Sequence, residues 1–308
     1  MLNDIQLTGF VLLPVALLGF ICNWTAVYIL QKLPTFRHSF GYLSASQALA
    51  DALHSTLFLV YFCPMVITGS QILKEYSQHC GFLLLFSYEL SVQIHLVVSL
   101  NRFCAVWFPL KYNVWFSDRN TWLVIGIVWV VTLGTSLTFY EVLCNIYYEE
   151  HTGFFTFTAS PLCEAIGWYA DFCKYLTIII TIVIIDISTL LKVRNINKKV
   201  LTSVDLQSTS RISTRELNFL KQTVFQGTIF ALELITYFIV PQYLDNKWAV
   251  FFATSFAWVT VHAADGLIMM VFNPEFKKFI LSCGSYHQVH GAAQGSQDSS
   301  VQRGTGKV

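Results

Sequence analysis

Apolar residues run through this chain in seven long stretches divided by short polar segments. The stretches fall at about 7–30, 40–66, 80–106, 121–143, 167–191, 222–244 and 248–272. A bilayer-spanning helix needs about 20 mostly apolar residues, so the pattern predicts an all-α membrane protein, a bundle of seven transmembrane helices. The seventh stretch begins only a few residues after the sixth. Beyond it, Phe276, Phe279 and Ile280 alternate with Lys277 and Lys278, which predicts a short amphipathic helix. Residues 1–283 form one seven-helix domain on this reading. The stretch 284–308, rich in Gly, Ser, Gln and His, is expected to be a disordered tail.

Composition narrows the class and charge orients it. Charged residues make up 12% of the chain and hydrophobic ones 55%, against about 25% charged in a soluble protein. Net charge is +1, which says nothing about partners; the lipid bilayer is the expected one, and no nucleic acid is expected. Lys32, Arg37, Lys111, Arg119, Lys192, Arg194, Lys198, Lys199, Arg211, Arg215, Lys221, Lys277 and Lys278 all fall on one side of the predicted bundle. The opposite loops hold Lys74 and Lys247, with Lys174 at a helix mouth and Glu149, Glu150 and Glu164 in the longest loop. The positive-inside rule then predicts a multi-pass cell-membrane protein with its amino terminus outside and its tail in the cytoplasm. The first stretch lacks a preceding basic region and is too long for a secretory signal, so it is read as a retained helix. The sequon Asn23-Trp24-Thr25 lies inside that span, out of reach of glycosylation.

The third stretch ends in Asn101-Arg102-Phe103-Cys104-Ala105-Val106-Trp107-Phe108-Pro109-Leu110-Lys111-Tyr112. An Arg at a bilayer centre costs roughly 2.5–3.5 kcal/mol, so Arg102 belongs at a membrane boundary or inside the bundle. The string resembles the end of the third helix in rhodopsin-like G-protein-coupled receptors, with Asn101 where most of them carry an acid. Asn23 and Asp51 have the spacing that superfamily shows between its first-helix Asn and second-helix Asp, and Trp129 resembles its fourth-helix Trp. Asn273-Pro274 looks like the start of the Asn-Pro-x-x-Tyr motif but comes too late. Aligning on Phe276-Lys277 places Asp265-Gly266-Leu267-Ile268-Met269 there instead. Phe230 stands near the place of the usual sixth-helix Pro. Asn-Arg-Phe, Phe-Pro-Leu-Lys-Tyr and Phe272-Asn273-Pro274-Glu275-Phe276-Lys277 resemble the nematode serpentine chemoreceptors of class x, over about residues 10–283.

The resemblance implies a chemosensory receptor that binds an external small molecule within the bundle and activates a heterotrimeric G protein, with no catalysis. It assigns G-protein coupling to Asn101, Arg102, Phe103, Pro109, Leu110 and Tyr112. It assigns a polar core, able to hold a sodium ion, to Asn23, Asp51, Ser91 and Asp265; a hydrogen-bonded network with one protonated Asp is the other reading. It places Tyr88, Glu89, Glu233, Tyr237, Ser255 and Trp258 toward the outer half as ligand-pocket candidates. Glu89 or Glu233 could equally pair with a neighbour such as Lys174 or a backbone carbonyl. It also implies a disulfide between the top of the third helix and the long outer loop: Cys80 with Cys163, or with Cys144. His54, His95 and His262 are scattered over three spans and read as buried packing residues, so no metal site is expected.

Cys283, closing the amphipathic segment, is a candidate for palmitoylation. The loop from Lys192 to Lys221 mixes basic residues with Ser203, Ser208, Ser210, Ser213 and Thr214, a surface for G protein, arrestin and kinases. The alternative from another class is a seven-helix transporter or ion channel, which would carry an inverted repeat and broken helices. A retinal pigment is disfavoured because the seventh stretch contains no Lys for a Schiff base.

Overall fold

The computed structural model describes residues 4–150, 153–202 and 214–280. Seven long helices pack side by side. Spans 1 to 5 are Asp4–Lys32, Ser39–Thr68, Ser77–Trp107, Asp118–Leu143 and Pro161–Asn197; span 7 is Lys247–Phe272. These six have the length and apolarity to cross a membrane. Span 6, Thr214–Phe238, is more polar because it turns a stripe of Gln222, Thr223, Gln226 and Glu233 into the bundle, where all four are buried.

Local chemistry sets the helix ends. Span 1 stops where Leu33 becomes extended ahead of Pro34, since a residue before Pro disfavours the helical region. Span 3 stops ahead of Pro109, which opens a short helix, Pro109–Trp115. Ser117 caps span 4 by accepting a bond from the Asn120 amide, and Asp118 in the first turn suits the positive helix end. Span 5 begins at Pro161, earlier than the apolar pattern suggests, because the Ser160 hydroxyl accepts from the Cys163 amide. Span 6 ends at Phe238, ahead of Pro241, rather than continuing to 244. Spans 2, 4, 5 and 7 contain wide π-type turns at Phe58–Phe62, Thr138–Leu143, Ile166–Cys173 and Phe252–Phe256.

Between spans 4 and 5 the chain forms an antiparallel hairpin, β1 (Ile146–Glu149) with β2 (Phe154–Phe157), in the register Ile146 opposite Phe157. Gly153 takes the positive φ of 77° that its turn demands. Tyr148 and Phe155 point into the bundle, pack on Phe62 and close one end of it. That end is called the hairpin end below, and the other the Arg102 end.

The hairpin settles the disulfide. Thr158 donates its amide to the Asn145 carbonyl at 2.9 Å, so the two strands return the chain to its starting point. Cys144 and Cys163 then lie 5.4 Å apart at their Cα atoms and are bonded to each other. The expected Cys80–Cys163 and Cys80–Cys144 pairings are therefore corrected: Cys80 is a buried free thiol. Ile146 of β1 sits against the start of span 3 at Gly81, where a Cβ would collide with the Ile146 carbonyl.

The apolar core divides into two clusters. The hairpin-end cluster centres on Phe58, Phe62, Tyr88, Tyr140, Tyr175, Phe230 and Trp258. The Arg102-end cluster centres on Ile29, Phe36, Phe40, Leu43, Ile94 and Phe276. Residues 274–280 form the short helix after span 7, started by Asn273, whose side-chain oxygen accepts from the Glu275 amide. Phe276 packs on Phe36 and Phe279 on Tyr28, while the lysines face outward. Asn273-Pro274 is thus a helix cap. Cys283, Ser203, Ser208, Ser210, Ser213 and the tail 284–308 lie outside the described residues.

Candidate functional site

Three constellations hold the buried polar chemistry. At the Arg102 end, Asn101 is fully buried and turns away from the end of the helix. Its amide nitrogen donates to the Ser39 hydroxyl at 3.1 Å and approaches the Tyr112 hydroxyl at 3.3 Å. Ser39 and Tyr112 bond each other at 2.7 Å. A neutral amide at the place of an acid thus ties span 3 to the start of span 2 and to the helix Pro109–Trp115. Arg102 itself lies over the Phe40 ring, 3.3 Å from its centroid. Phe103 stacks on Trp107, and Leu110 is almost wholly exposed at 95%.

In the bundle centre, Asp51, Ser91 and Asp265 are each fully buried. Ser91 donates to Asp51 Oδ1 at 2.6 Å, and His262 Nδ1 meets the same oxygen at 2.7 Å. Gln47 donates to Asp265 Oδ2 at 3.1 Å. Asn23 does not reach Asp51; it donates to the His262 carbonyl at 2.9 Å and so pins span 1 to span 7. Asp51 Oδ2 and Asp265 Oδ1 have no hydrogen-bond partner among the described residues. Gly266 permits this packing, because a Cβ there would strike the Asn23 side chain. His54 and His262, expected to be scattered, stack at 3.8 Å between centroids, so His262 belongs to the polar core that the sequence pattern built without it.

Toward the hairpin end, Tyr88, Glu233, Tyr237 and Trp258 line one small cavity of about 20 Å³ with Leu85, Asp171 and Phe238. Tyr88 donates its hydroxyl to Glu233 Oε2 at 2.9 Å. Trp258 touches Tyr88, Tyr237 and His54, with Phe155 of the hairpin above it. Two expected residues are elsewhere. Ser255 is buried in the π-type turn of span 7 and is not part of the lining. Glu89 faces spans 4 and 5, where it accepts from Gln93, Thr135 and Ser136 and pairs with Lys174 at 3.0 Å. It is a strut between helices, since a carboxylate one residue from Tyr88 leaves a different side of the same helix turn.

Asp171 escaped the sequence pattern, although an acid in an apolar stretch is itself a signal. Asp186, buried on span 5, was missed for the same reason. A larger recess of about 540 Å³ adjoins the small cavity, lined by Phe157, Pro161, Glu164, Trp168, Tyr237 and Phe238 among others. Tyr237 and Phe238 line both.

Known proteins resemble this chain. A family model described as "Serpentine type 7TM GPCR chemoreceptor Srx" matches residues 13–273. Serpentine receptor class X 45 of Caenorhabditis elegans is 31% identical over 280 residues, covering 85% of this chain and 77% of that protein. Serpentine receptor class X-43 of the same organism is 26% identical over 290 residues, covering 90% and 87%. The crystal structure of squid rhodopsin superimposes with a TM-score of 0.71 over 93% of this chain and 87% of that one, at 14% identity, a likeness of fold. The chain belongs to the Srx family of serpentine seven-helix G-protein-coupled chemoreceptors.

Proposed function

We propose that this receptor senses an external small molecule at the hairpin end and activates a heterotrimeric G protein at the Arg102 end. The observation that carries the reading is a chain of buried contacts leading from the small cavity into the bundle centre. Trp258, in the wall of the cavity, packs on His54 at 5.1 Å. His54 stacks on His262, which bonds Asp51. Ligand contacts that tilt Trp258 would therefore disturb the Asp51–Ser91–His262 network, and with it the approach of spans 2, 3 and 7. A ligand shifts such an equilibrium only through differential affinity for the two arrangements.

The uneven basic residues support an orientation with the amino terminus outside and the Arg102 end in the cytoplasm. There Arg102, Phe103 and Leu110 offer a cation and apolar groups to a partner, and the basic loop before span 6 offers a surface to arrestin or kinases. The donor set of the polar core suits a sodium ion. Asp51 Oδ2 and Asp265 Oδ1 are buried oxygens with no hydrogen-bond partner among the described residues, and two buried carboxylates repel unless a cation or shared proton intervenes. Such an ion would supply positive charge that holds spans 2, 3 and 7 together.

Guanine-nucleotide exchange on purified G protein tests the reading. The receptor in lipid discs is expected to accelerate exchange, and Arg102→Ala to abolish the acceleration. Solute flux through the receptor without any exchange would establish the transporter alternative.

A further inference from the structure

The small cavity carries more than a site for an unspecified ligand. Asp171 is 4% exposed, lines the cavity and makes no hydrogen bond or ion pair among the described residues. Glu233, 5% exposed, spends only Oε2 on Tyr88. Two carboxylates on different helices thus line one small cavity. The one nearby cation among the described residues is shared: Lys174 lies 3.0 Å from Glu89 and 4.5 Å from the Tyr175 ring centroid, and its charge also reaches Asp171. One lysine charge against Glu89, Asp171 and Glu233 leaves the cluster short of positive charge. Like charges confined in this way require a cation or a shared proton between them.

The surroundings specify what kind of cation. The remaining walls include Tyr88, Tyr237, Phe238 and Trp258, and aromatic faces attract positive charge within about 6 Å. The cavity, about 20 Å³, holds little more than one water-sized group. That is the size of a primary ammonium head, whose three N–H donors match the free carboxylate oxygens. A quaternary head is too large. The adjoining recess of about 540 Å³ lies within the usual range for small-ligand sites. Its Phe157, Pro161, Trp168 and Phe238 suit an apolar or aromatic tail.

Resting on the receptor reading above, we propose that the ligand is a primary amine, its ammonium group between Asp171 and Glu233 and its apolar tail in the recess beyond Tyr237 and Phe238. The tail leaves the small cavity past those two rings, which form the shared wall.

The test uses the full-length receptor in lipid discs and a series of probes differing only in the head. Phenethylammonium, butylammonium and hexylammonium are compared with phenethyl alcohol, butanol and hexanol by ligand-induced shift of the melting temperature. At least one ammonium is expected to stabilise the receptor saturably, with its alcohol at least tenfold weaker. Asp171→Asn and Glu233→Gln, which preserve shape, should each weaken that binding tenfold or more. Asp186→Asn, at a buried carboxylate of span 5 that does not line the cavity, should leave it within about twofold. Equal binding of ammonium and alcohol, no binding of any ammonium, or full binding to the Asp171→Asn/Glu233→Gln double variant overturns the amine assignment. The head-group comparison needs no variant, so a misfolded mutant cannot mask its result. Ligand-independent nucleotide exchange, with Arg102→Ala as its control, judges the receptor reading separately.

Discussion

The Glu89–Lys174 pair is the sharpest place to test the packing of spans 3, 4 and 5. Glu89 is 1% exposed; it accepts hydrogen bonds from Gln93 at 2.9 Å, Ser136 at 3.0 Å and Thr135 at 3.2 Å, and pairs ionically with Lys174 at 3.0 Å. Only the last carries charge. Lys174→Met removes it while keeping most of the side-chain volume, leaving a buried carboxylate with three neutral donors. Removing one partner of a buried pair costs about 3–5 kcal/mol, or two to nearly four orders of magnitude in the folding equilibrium at about 1.4 kcal/mol per decade. For a chain of this size that corresponds to a fall on the order of 10 °C in melting temperature. Glu89→Gln combined with Lys174→Met leaves an amide that the same hydroxyls still satisfy, so the double variant should recover more than half of the loss. Thermal unfolding of the purified receptor in detergent, followed with a thiol-reactive dye, reads both. Equal destabilisation in the single and double variants would falsify the assignment of Glu89 as a charged strut.

Four further outcomes follow from other contacts. Replacing N-methylglucamine by sodium should raise the melting temperature, and Asp51→Asn should remove the difference; a sodium effect that survives this change argues against an ion at Asp51 and Asp265. Gly266→Ala should cost about 1–3 kcal/mol through overpacking against Asn23, and a melting temperature equal to wild type would mean that spans 1 and 7 are less closely packed than described. Cys144→Ser should cost about 3 kcal/mol by opening the loop between Cys144 and Cys163 and lower surface expression, whereas Cys80→Ser should not; a non-reduced peptide joining Cys80 to either residue would overturn the pairing. Tyr112→Phe should weaken the clamp on Asn101 by about 0.5–1.5 kcal/mol and raise ligand-independent exchange, and unchanged exchange would detach that clamp from activation.

The fold was open to reading in the apolar runs because hydrocarbon forces every backbone group into an internal bond, which leaves a long apolar run few choices but a helix. The ends obey short-range polar chemistry instead. Pro161 starts span 5 ahead of its apolar stretch because Ser160 caps it, and Glu164 hides that turn from any hydropathy pattern. The hairpin escaped prediction since Ile146–Glu149 and Phe154–Phe157 are four residues each, too short for alternation to stand out in an aromatic-rich chain. With the hairpin missed, the disulfide followed the family habit to Cys80, although the return of the chain at Thr158 and Asn145 makes Cys144 the reachable partner.

The polar core shows what spacing can and cannot reveal. Asp51, Ser91 and Asp265 are all fully buried in stretches of regular α-helix, clear of the wide turns. The hairpin-end cavity follows the family alignment only in part: Tyr88, Glu233, Tyr237 and Trp258 line it, and Glu89 and Ser255 do not. A π-type turn inserts an extra residue, and each residue is worth about 100° of rotation about the helix axis. Ile166–Cys173 in span 5 and Phe252–Phe256 in span 7 are such turns. Asp171 lies within the first and lines the cavity, and Ser255 lies within the second and does not. A carboxylate in these spans is visible from sequence at once, but the side of the helix it occupies depends on turns whose local sequence looks like any other apolar helix. That is why Asp171 required the structure, while Glu233, the Arg102 string and the Asn23–Asp51 spacing did not.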